Sequence, residues 1–155
     1  MDYLKAFGIE EGKNNPHQQI IHSIALIYNV IYDEMAAFFE PYDLTPGKFN
    51  ILMAIKHHGG QKGIRQVEVS KQLILTPSNM TKMIDKLEKE GFVQRSALKG
   101  DRRVNIVKVT SQGVELLDSI WESYNAELKK AVGPLSKVKQ KQLAALLTEW
   151  FEKLK

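Results

Sequence analysis

The order of signals in residues 76–110 restricts the fold more than any other feature of this chain. Thr76 and Pro77 form a typical helix start, because a threonine oxygen accepts a free backbone N–H and proline at the first position has no N–H to satisfy. Gly91 is a typical helix stop, since glycine adopts positive φ without strain. Two segments rich in β-formers, FVQRSA and NIVKVT, then flank a polar tip that contains Gly100. They predict a β-hairpin with a rather long loop.

Two further helices are predicted upstream of this hairpin. The stretch LTPGKF repeats the threonine–proline start at Thr45, and that helix is expected to end at Gly59 with positive φ. The stretch VEVSKQL indicates a short helix, which the tight connection ILTP joins to the helix over 76–90. Two short helices, a tight turn and a hairpin are the layout of a winged helix-turn-helix. The predicted core residues of these helices are Phe49, Leu52, Met53, Ile55, Val69, Leu73, Met80, Met83, Ile84 and Leu87.

Both ends of the chain carry apolar residues at the helical spacings of three and four. The first helix has a stripe of Ile20, Ile24, Ile27, Ile31, Met35 and Phe38 and a second apolar face of Ile21, Tyr28, Tyr32 and Phe39. The C-terminal region has a seam of Val114, Leu117, Trp121, Tyr124 and Leu128 and a last helix with Leu143, Leu146, Leu147, Trp150, Phe151 and Leu154. This apolar surface exceeds what the winged unit can cover, so we predict a homodimer built from the first and last helices.

Charge is distributed unevenly along the chain. The net charge is +4, but residues 61–110 alone contain eleven Lys or Arg and five Asp or Glu, a local net charge of +6. A basic segment of this kind indicates a contact with a polyanion, and a solvated lysine-rich surface is the alternative. The chain has no cysteine, which excludes disulfides, thiolate nucleophiles and thiol-based redox sensing.

The predicted fold class is mainly α with a small β-hairpin wing (α+β). We expect one domain over 1–155, in which 1–40 and 111–155 are dimerisation helices and 41–110 form a winged helix-turn-helix DNA-binding lobe. A two-fold dimer presents two recognition helices. Its expected site is a pseudo-palindromic stretch of double-stranded DNA with half-sites about 34 to 36 Å apart.

The polar side chains near the start of the helix over 76–90 are the predicted readers of DNA bases. Ser78, Asn79 and Lys82 lie off the apolar stripe, with Thr81 beside them, and recognition helices present such N-terminal residues to the major groove. Thr76 and Lys86 are expected to contact phosphates, and Pro77 to make an apolar contact.

The predicted wing tip carries Asp101, Arg102 and Arg103. In an extended chain, side chains two positions apart point the same way, so Asp101 and Arg103 are expected to pair and brace the tip. Arg102 then projects on the other side, as suits the narrow, negative minor groove.

The chain resembles the multiple antibiotic resistance regulator (MarR) family of bacterial winged-helix transcription factors. The resemblance is most specific in LTPGKFNILMAI, VEVSKQLILTPSNMTKMIDKLEKEGFVQR and GDRRVNIVKVTSQG, in the family's order and spacing. It implies an obligate homodimer joined through the chain ends, with Arg102 in the minor groove. It also implies regulation by a small aromatic or phenolic ligand bound between the dimer region and the winged lobe. Residues available to line such a pocket, with a core or interface role as the alternative, are His22, Tyr28, Tyr32, Met35, Met53 and Trp121.

The predicted function is a sequence-specific DNA-binding transcriptional regulator, and a repressor, without cofactor. The chain departs from the family's peroxide-sensing branch, since it lacks cysteine, and its four histidines do not match the metal-sensing branch. An enzyme is disfavoured because no catalytic motif stands out. A winged helix that binds protein instead of DNA is the remaining alternative, and the polar and basic reading face argues against it. Without a signal-peptide layout or a membrane-length apolar run, we expect a cytoplasmic protein.

Overall fold

The computed structural model describes Lys5 and residues 15–73, 77–98 and 101–154 of the 155-residue chain. Thr76 and Gly100 lie outside the described residues, as do the side chains of Pro77, Asp101, Arg102 and Arg103. The elements in chain order are α1 (Pro16–Phe39), a 3₁₀ turn (Glu40–Tyr42), α2 (Pro46–Gly59), β1 (Ile64–Arg65), α3 (Gln66–Leu73), α4 (Pro77–Lys89), β2 (Val93–Leu98), β3 (Asp101–Val109), α5 (Ser111–Val132) and α6 (Lys137–Lys153). The prediction of a mainly helical fold with a small β wing is confirmed.

Helix α2 lies at the centre of the core. Its Thr45 hydroxyl accepts the Lys48 N–H at 3.2 Å, which confirms the predicted start. The helix buries more than the predicted face, because Ile51 and Ala54 are also buried whereas Met53 is only partly so. The reason is that α2 packs against α1, α3, α5 and the sheet at once. The prediction that Gly59 takes positive φ was wrong, since the helix continues through Gly59 and the positive φ of 47° falls at Gly60.

The wing is a three-stranded antiparallel sheet in the order β1-β3-β2. The third strand was not predicted, because β1 has two residues and shows no alternation to detect. The expected long loop was also wrong. The register shifts between Ala97 and Leu98, so that Leu98 pairs with Asp101 and the strands are separated only by residues 99–100. The extra residues are absorbed within β3 as an irregularity of the ladder.

Helix α4 ends in the predicted Schellman motif. Gly91 has φ of 80°, the Phe92 N–H donates to the Leu87 carbonyl at 2.9 Å, and the Gly91 N–H donates to the Glu88 carbonyl at 3.1 Å. These are the two hydrogen bonds that define the motif. Positive φ makes glycine the residue that permits this turn without strain.

Three elements meet at one point, which we call the Gly91–Gly113 junction (residues 91–92 and 110–113). The Thr110 hydroxyl donates to the Gly91 carbonyl at 2.7 Å and accepts the Gly113 N–H at 3.1 Å, and the Thr110 N–H donates to the Phe92 carbonyl at 3.0 Å. A Cβ on Gly113 would lie 2.4 Å from the Phe92 carbonyl oxygen. The absence of a side chain at Gly113 therefore lets the first turn of α5 rest on the base of the hairpin.

The predicted seam of α5 proved to be largely internal. Leu117 is fully buried in the core of its own chain, and Ile120, which the seam did not include, is fully buried as well. Val114 and Tyr124 pack against the same core, whereas Trp121 and Leu128 stay exposed.

Helix α6 with its C-cap Leu154, and helix α1 as far as Tyr32, keep exposed apolar side chains. Among its described residues α6 has none that is buried, and Leu146 is 64% exposed. The large exposed apolar residues of the two helices are Ile20, Ile21, Ile24, Ile27, Tyr28, Val30, Tyr32, Val138, Leu143, Leu146, Leu147, Phe151 and Leu154. In the part of the chain that is described, no helix combines the length and the apolar character that crossing a bilayer requires.

Candidate DNA-binding surface

Burial fixes which side of α4 faces solvent. Met80, Ile84 and Leu87 are fully buried, so one side of the helix is committed to the core. The exposed residues of the helix include all the described side chains that were predicted to contact DNA, namely Ser78, Asn79, Thr81, Lys82 and Lys86. The helix therefore presents a polar and basic surface, as a reading helix requires.

Thr81 takes part in a contact within the helix-turn-helix. Its hydroxyl oxygen accepts a hydrogen bond at 2.9 Å from the side-chain amide of Gln66, the first residue of α3. The bond ties the two helices of the helix-turn-helix together, so Thr81 contributes to their relative position.

Arg95 on β2 binds two carboxylates of α4, a group that we call the Arg95 clamp (Asp85, Glu88 and Arg95). The Arg95 backbone N–H and Nε donate to the two carboxylate oxygens of Glu88 at 2.9 and 2.8 Å. The terminal guanidinium nitrogen Nη2 lies 2.6 Å from Glu88 Oε2 and also bonds Asp85 Oδ1. Sequence analysis missed the clamp, because its members belong to different elements and no spacing rule connects a helix face to a following strand.

The charges of the clamp stabilise one another. The hydrogen bond from Arg95 holds the pKa of Glu88 below its ordinary value, against the opposing effect of partial burial. The same bond raises the pKa of Arg95. A carboxyl group with a lowered folded-state pKa stabilises the fold fully above its unfolded pKa, and this contribution is lost as the pH falls through the folded pKa.

A second ion pair ties the end of α4 to the start of α2. Lys48 Nζ lies 2.6 Å from Glu90 Oε1 and also donates to the Asp43 carbonyl at 3.1 Å. The Lys48 side chain is only 12% exposed, so this pair is shielded from solvent better than an ordinary surface pair. Helix α4 is thus held on both flanks near its C-terminal end.

The wing-tip residues Asp101, Arg102 and Arg103 belong to β3, and not to a turn. The backbone of a strand places alternate residues on opposite faces. Because their side chains lie outside the described part of the structure, the brace and the projecting arginine stay predictions. The same holds for Thr76 and Pro77 at the start of α4.

A groove of about 500 Å³ opens between α1, α2 and α5. Of the six predicted pocket residues, Tyr28, Tyr32 and Met35 line it, whereas His22, Met53 and Trp121 do not. The remaining lining residues, which the sequence did not single out as a pocket, are Ile31, Phe39, Pro46, Gly47, Phe49, Asn50, Leu73, Met83, Tyr124 and Leu128. Burial raises the pKa of the Tyr124 phenol, which marks this end of the groove as poorly solvated. The groove reaches α4, since Met83 belongs to this helix.

The described residues contain no cluster of three or more His, Asp or Glu side chains placed to hold a metal ion.

Comparison with known proteins assigns the family. Residues 44–104 match the MarR family model. The transcriptional regulator YkoM of Bacillus subtilis, itself uncharacterised, is 32% identical over 106 residues, which are 68% of this chain and 67% of that protein. The regulator PecS of Dickeya dadantii is 25% identical over 128 residues, covering 83% of this chain and 77% of PecS.

A solved structure agrees with this assignment at the level of the fold. The crystal structure of the S. aureus MepR–DNA complex superposes with a TM-score of 0.77 at 20% identity, over 85% of this chain and 96% of MepR. The exposed face of α4, the wing and the matched relatives lead to one conclusion: the chain belongs to the MarR family of helix-turn-helix transcriptional regulators.

Proposed function

We propose that this protein acts as a homodimeric, sequence-specific repressor in the cytoplasm, bound to pseudo-palindromic double-stranded DNA. The observation that carries the proposal is the exposed polar and basic face of α4, held beside a wing within the segment of net charge +6. Residues 41–110 form the DNA-binding lobe, and 1–40 with 111–155 form the dimerisation region. The relative MepR has been crystallised with DNA, which supports the same partner for this chain.

The proposed DNA contacts fall into three groups. Ser78, Asn79 and Lys82 face base edges in the major groove, and Thr81 supports them through its bond to α3. Arg102 enters the minor groove, with Asp101 and Arg103 as its brace. The backbone contacts are made by Thr76, Pro77 and Lys86.

Replacing Asn79 by alanine tests the base-reading role. An asparagine amide offers a donor and an acceptor together to an adenine edge, so Asn79→Ala is expected to relax the sequence preference at one position of each half-site. Selection of bound sequences from random duplexes measures this change.

Lys86→Ala is the matched control for Asn79→Ala, because Lys86 is exposed on the same helix and is proposed to contact phosphate. It should weaken all sequences alike and lower the slope of log affinity against log salt by about 1.8, since each of the two protomers loses one phosphate contact worth about 0.9. Identical selected sequences from the parent and Asn79→Ala would exclude base reading by Asn79.

The second part of the proposal is that the groove binds a small aromatic or phenolic molecule that releases the DNA. No charged side chain is present among its described lining residues, which include five aromatic rings and three tyrosine hydroxyls, from Tyr28, Tyr32, Phe39, Phe49 and Tyr124. This lining favours an uncharged aromatic ring with a hydroxyl group over a strongly anionic compound. Such a ligand shifts the DNA-binding equilibrium only by its difference in affinity between the two spacings of the reading helices.

A release assay with neutral phenols as probes tests the groove. Tyr28→Ala/Tyr32→Ala is expected to raise the half-maximal releasing concentration about tenfold or more, because both rings line the groove. Trp121→Ala is the control, since Trp121 is exposed and does not line the groove. Equal responses of the parent and the double variant would place the ligand elsewhere.

A further inference from the structure

We propose that Arg95 is a positioning residue for DNA binding: it fixes the angle between the wing and the reading helix α4, so that both reach the duplex together. The inference rests on the proposed function, because it assigns a role in the same DNA contact. It concerns the Arg95 clamp, none of whose members belongs to the proposed reading or phosphate-contacting residues.

The hairpin has two attachments to α4 among the described residues. The first is the Gly91–Gly113 junction, at which the chain leaves α4 and enters β2. On the other side of the sheet, β1 pairs with Val107 and Ile106 of β3, the residues that face Arg95 and Ser96 of β2, and α2 packs against β3. The clamp supplies a second point, two residues along β2 from its start at Val93, or about 7 Å farther out. With the clamp, β2 is attached to α4 at two separated points, and these fix the direction of the strand relative to the helix.

The hydrogen bonds of Arg95 direct its side chain toward α4, and not toward a DNA phosphate. Its backbone N–H, its Nε and its Nη2 are all directed to carboxylate oxygens of α4, and its side chain is 22% exposed. Two carboxylates around one guanidinium leave the cluster with a net negative charge. Arg95 therefore adds no attraction to the DNA backbone through this cluster.

The two acids would otherwise be a disadvantage on a DNA-binding lobe. Asp85 and Glu88 belong to the helix that approaches the duplex, and carboxylates near phosphates oppose binding. Simple electrostatics thus predicts tighter binding when either acid is removed. If the clamp positions the wing, removal of either acid should weaken DNA binding, because the wing is then held less firmly. The sign of the change separates the two explanations.

The decisive variant is Glu88→Ala in the full-length protein, measured by titration with a duplex selected by the parent. We expect affinity to fall about tenfold although a negative charge has been removed, because Glu88 accepts both the backbone and the side-chain bonds of Arg95. Asp85→Asn, a milder change at a half-exposed carboxylate, should show a smaller loss of the same sign. Glu68→Ala is the matched control, since it removes the same charge from an exposed position of α3 in the same lobe.

A coupling measurement distinguishes positioning from a general loss of stability. The loss of affinity caused by Arg102→Ala should shrink at least threefold in the Glu88→Ala background, because a loosened wing no longer delivers Arg102 to its groove. If Glu88→Ala merely destabilised the lobe, the loss of affinity in the double variant would equal the product of the losses in the two single variants. Multiplicative losses, or binding by Glu88→Ala and Asp85→Asn as tight as that of the parent or tighter, would overturn the inference. If instead the parent itself shows no preference among duplexes, the proposed function fails and the inference falls with it.

Discussion

Replacing Leu143 and Leu147 by glutamate should convert the protein to a monomer and weaken binding to a two-half-site duplex by about a hundredfold or more. Both leucines are over 40% exposed on α6, a helix of 17 residues with no buried residue among those described. In proteins most helical stability comes from the packing of an apolar face, so the apolar face of α6 needs a covering surface. In the proposed dimer, a second copy of the chain provides that surface.

The effect on DNA binding follows from effective concentration. In a dimer, binding of one reading helix holds the second beside its own half-site, and such linkage raises overall affinity by about 10² to 10⁴. A monomer loses this gain although its reading face is untouched. Sedimentation velocity measures the oligomeric state, and titration of the duplex measures the affinity.

Ala145→Glu is the control for this pair. It introduces the same charge into the same helix, and the period of 3.6 residues per turn places Ala145 on the side opposite to Leu143 and Leu147. We expect Ala145→Glu to stay dimeric and to bind as the parent does. A dimeric Leu143→Glu/Leu147→Glu variant would show that α6 is not the dimer interface.

Arg102→Ala should weaken specific binding about ten- to thirtyfold and leave the dimer intact. An arginine in the narrow minor groove occupies the strongest negative potential on the duplex, and both protomers lose this contact at once. Arg102→Lys keeps the charge, but it loses the planar group that suits the groove, so it should fall between the parent and alanine.

Lys129→Ala serves as the reference for a lost charge, because Lys129 is exposed near the end of α5, outside the proposed DNA-binding lobe. It should change affinity by less than about twofold at physiological salt. A gel shift in which Arg102→Ala equals the parent would contradict the role given to the wing.

Local chemistry explains which features the sequence could predict. The starts of α2 and α5 depend on Thr45 and Thr110, whose hydroxyls accept N–H groups three residues away, and the end of α4 depends on Gly91. Each of these motifs is complete within a few residues, so it can be read without knowledge of the rest of the fold. The helix order, the hairpin and the exposed face of α4 follow from them.

Features that depend on distant partners could not be predicted in the same way. The spacing of Leu117 and Tyr124 reveals an apolar face of α5, but not that the covering surface belongs to the same chain. The Arg95 clamp and the bond from Gln66 to Thr81 join side chains of separate elements, whose meeting depends on the tertiary fold. The two-residue β1 becomes a strand only because β3 lies beside it.

The Gly91–Gly113 junction makes α5 a lever arm for the DNA-binding lobe. The helix has 22 residues and is therefore about 33 Å long, and its first turn is bonded to the point where α4 ends and the hairpin begins. A tilt of α5 by about 5° about its far end would carry that point through about 3 Å, taking the reading helix and the wing along as one body. In the proposed dimer, a small tilt of α5 would therefore produce a larger change in the distance between the two copies of α4.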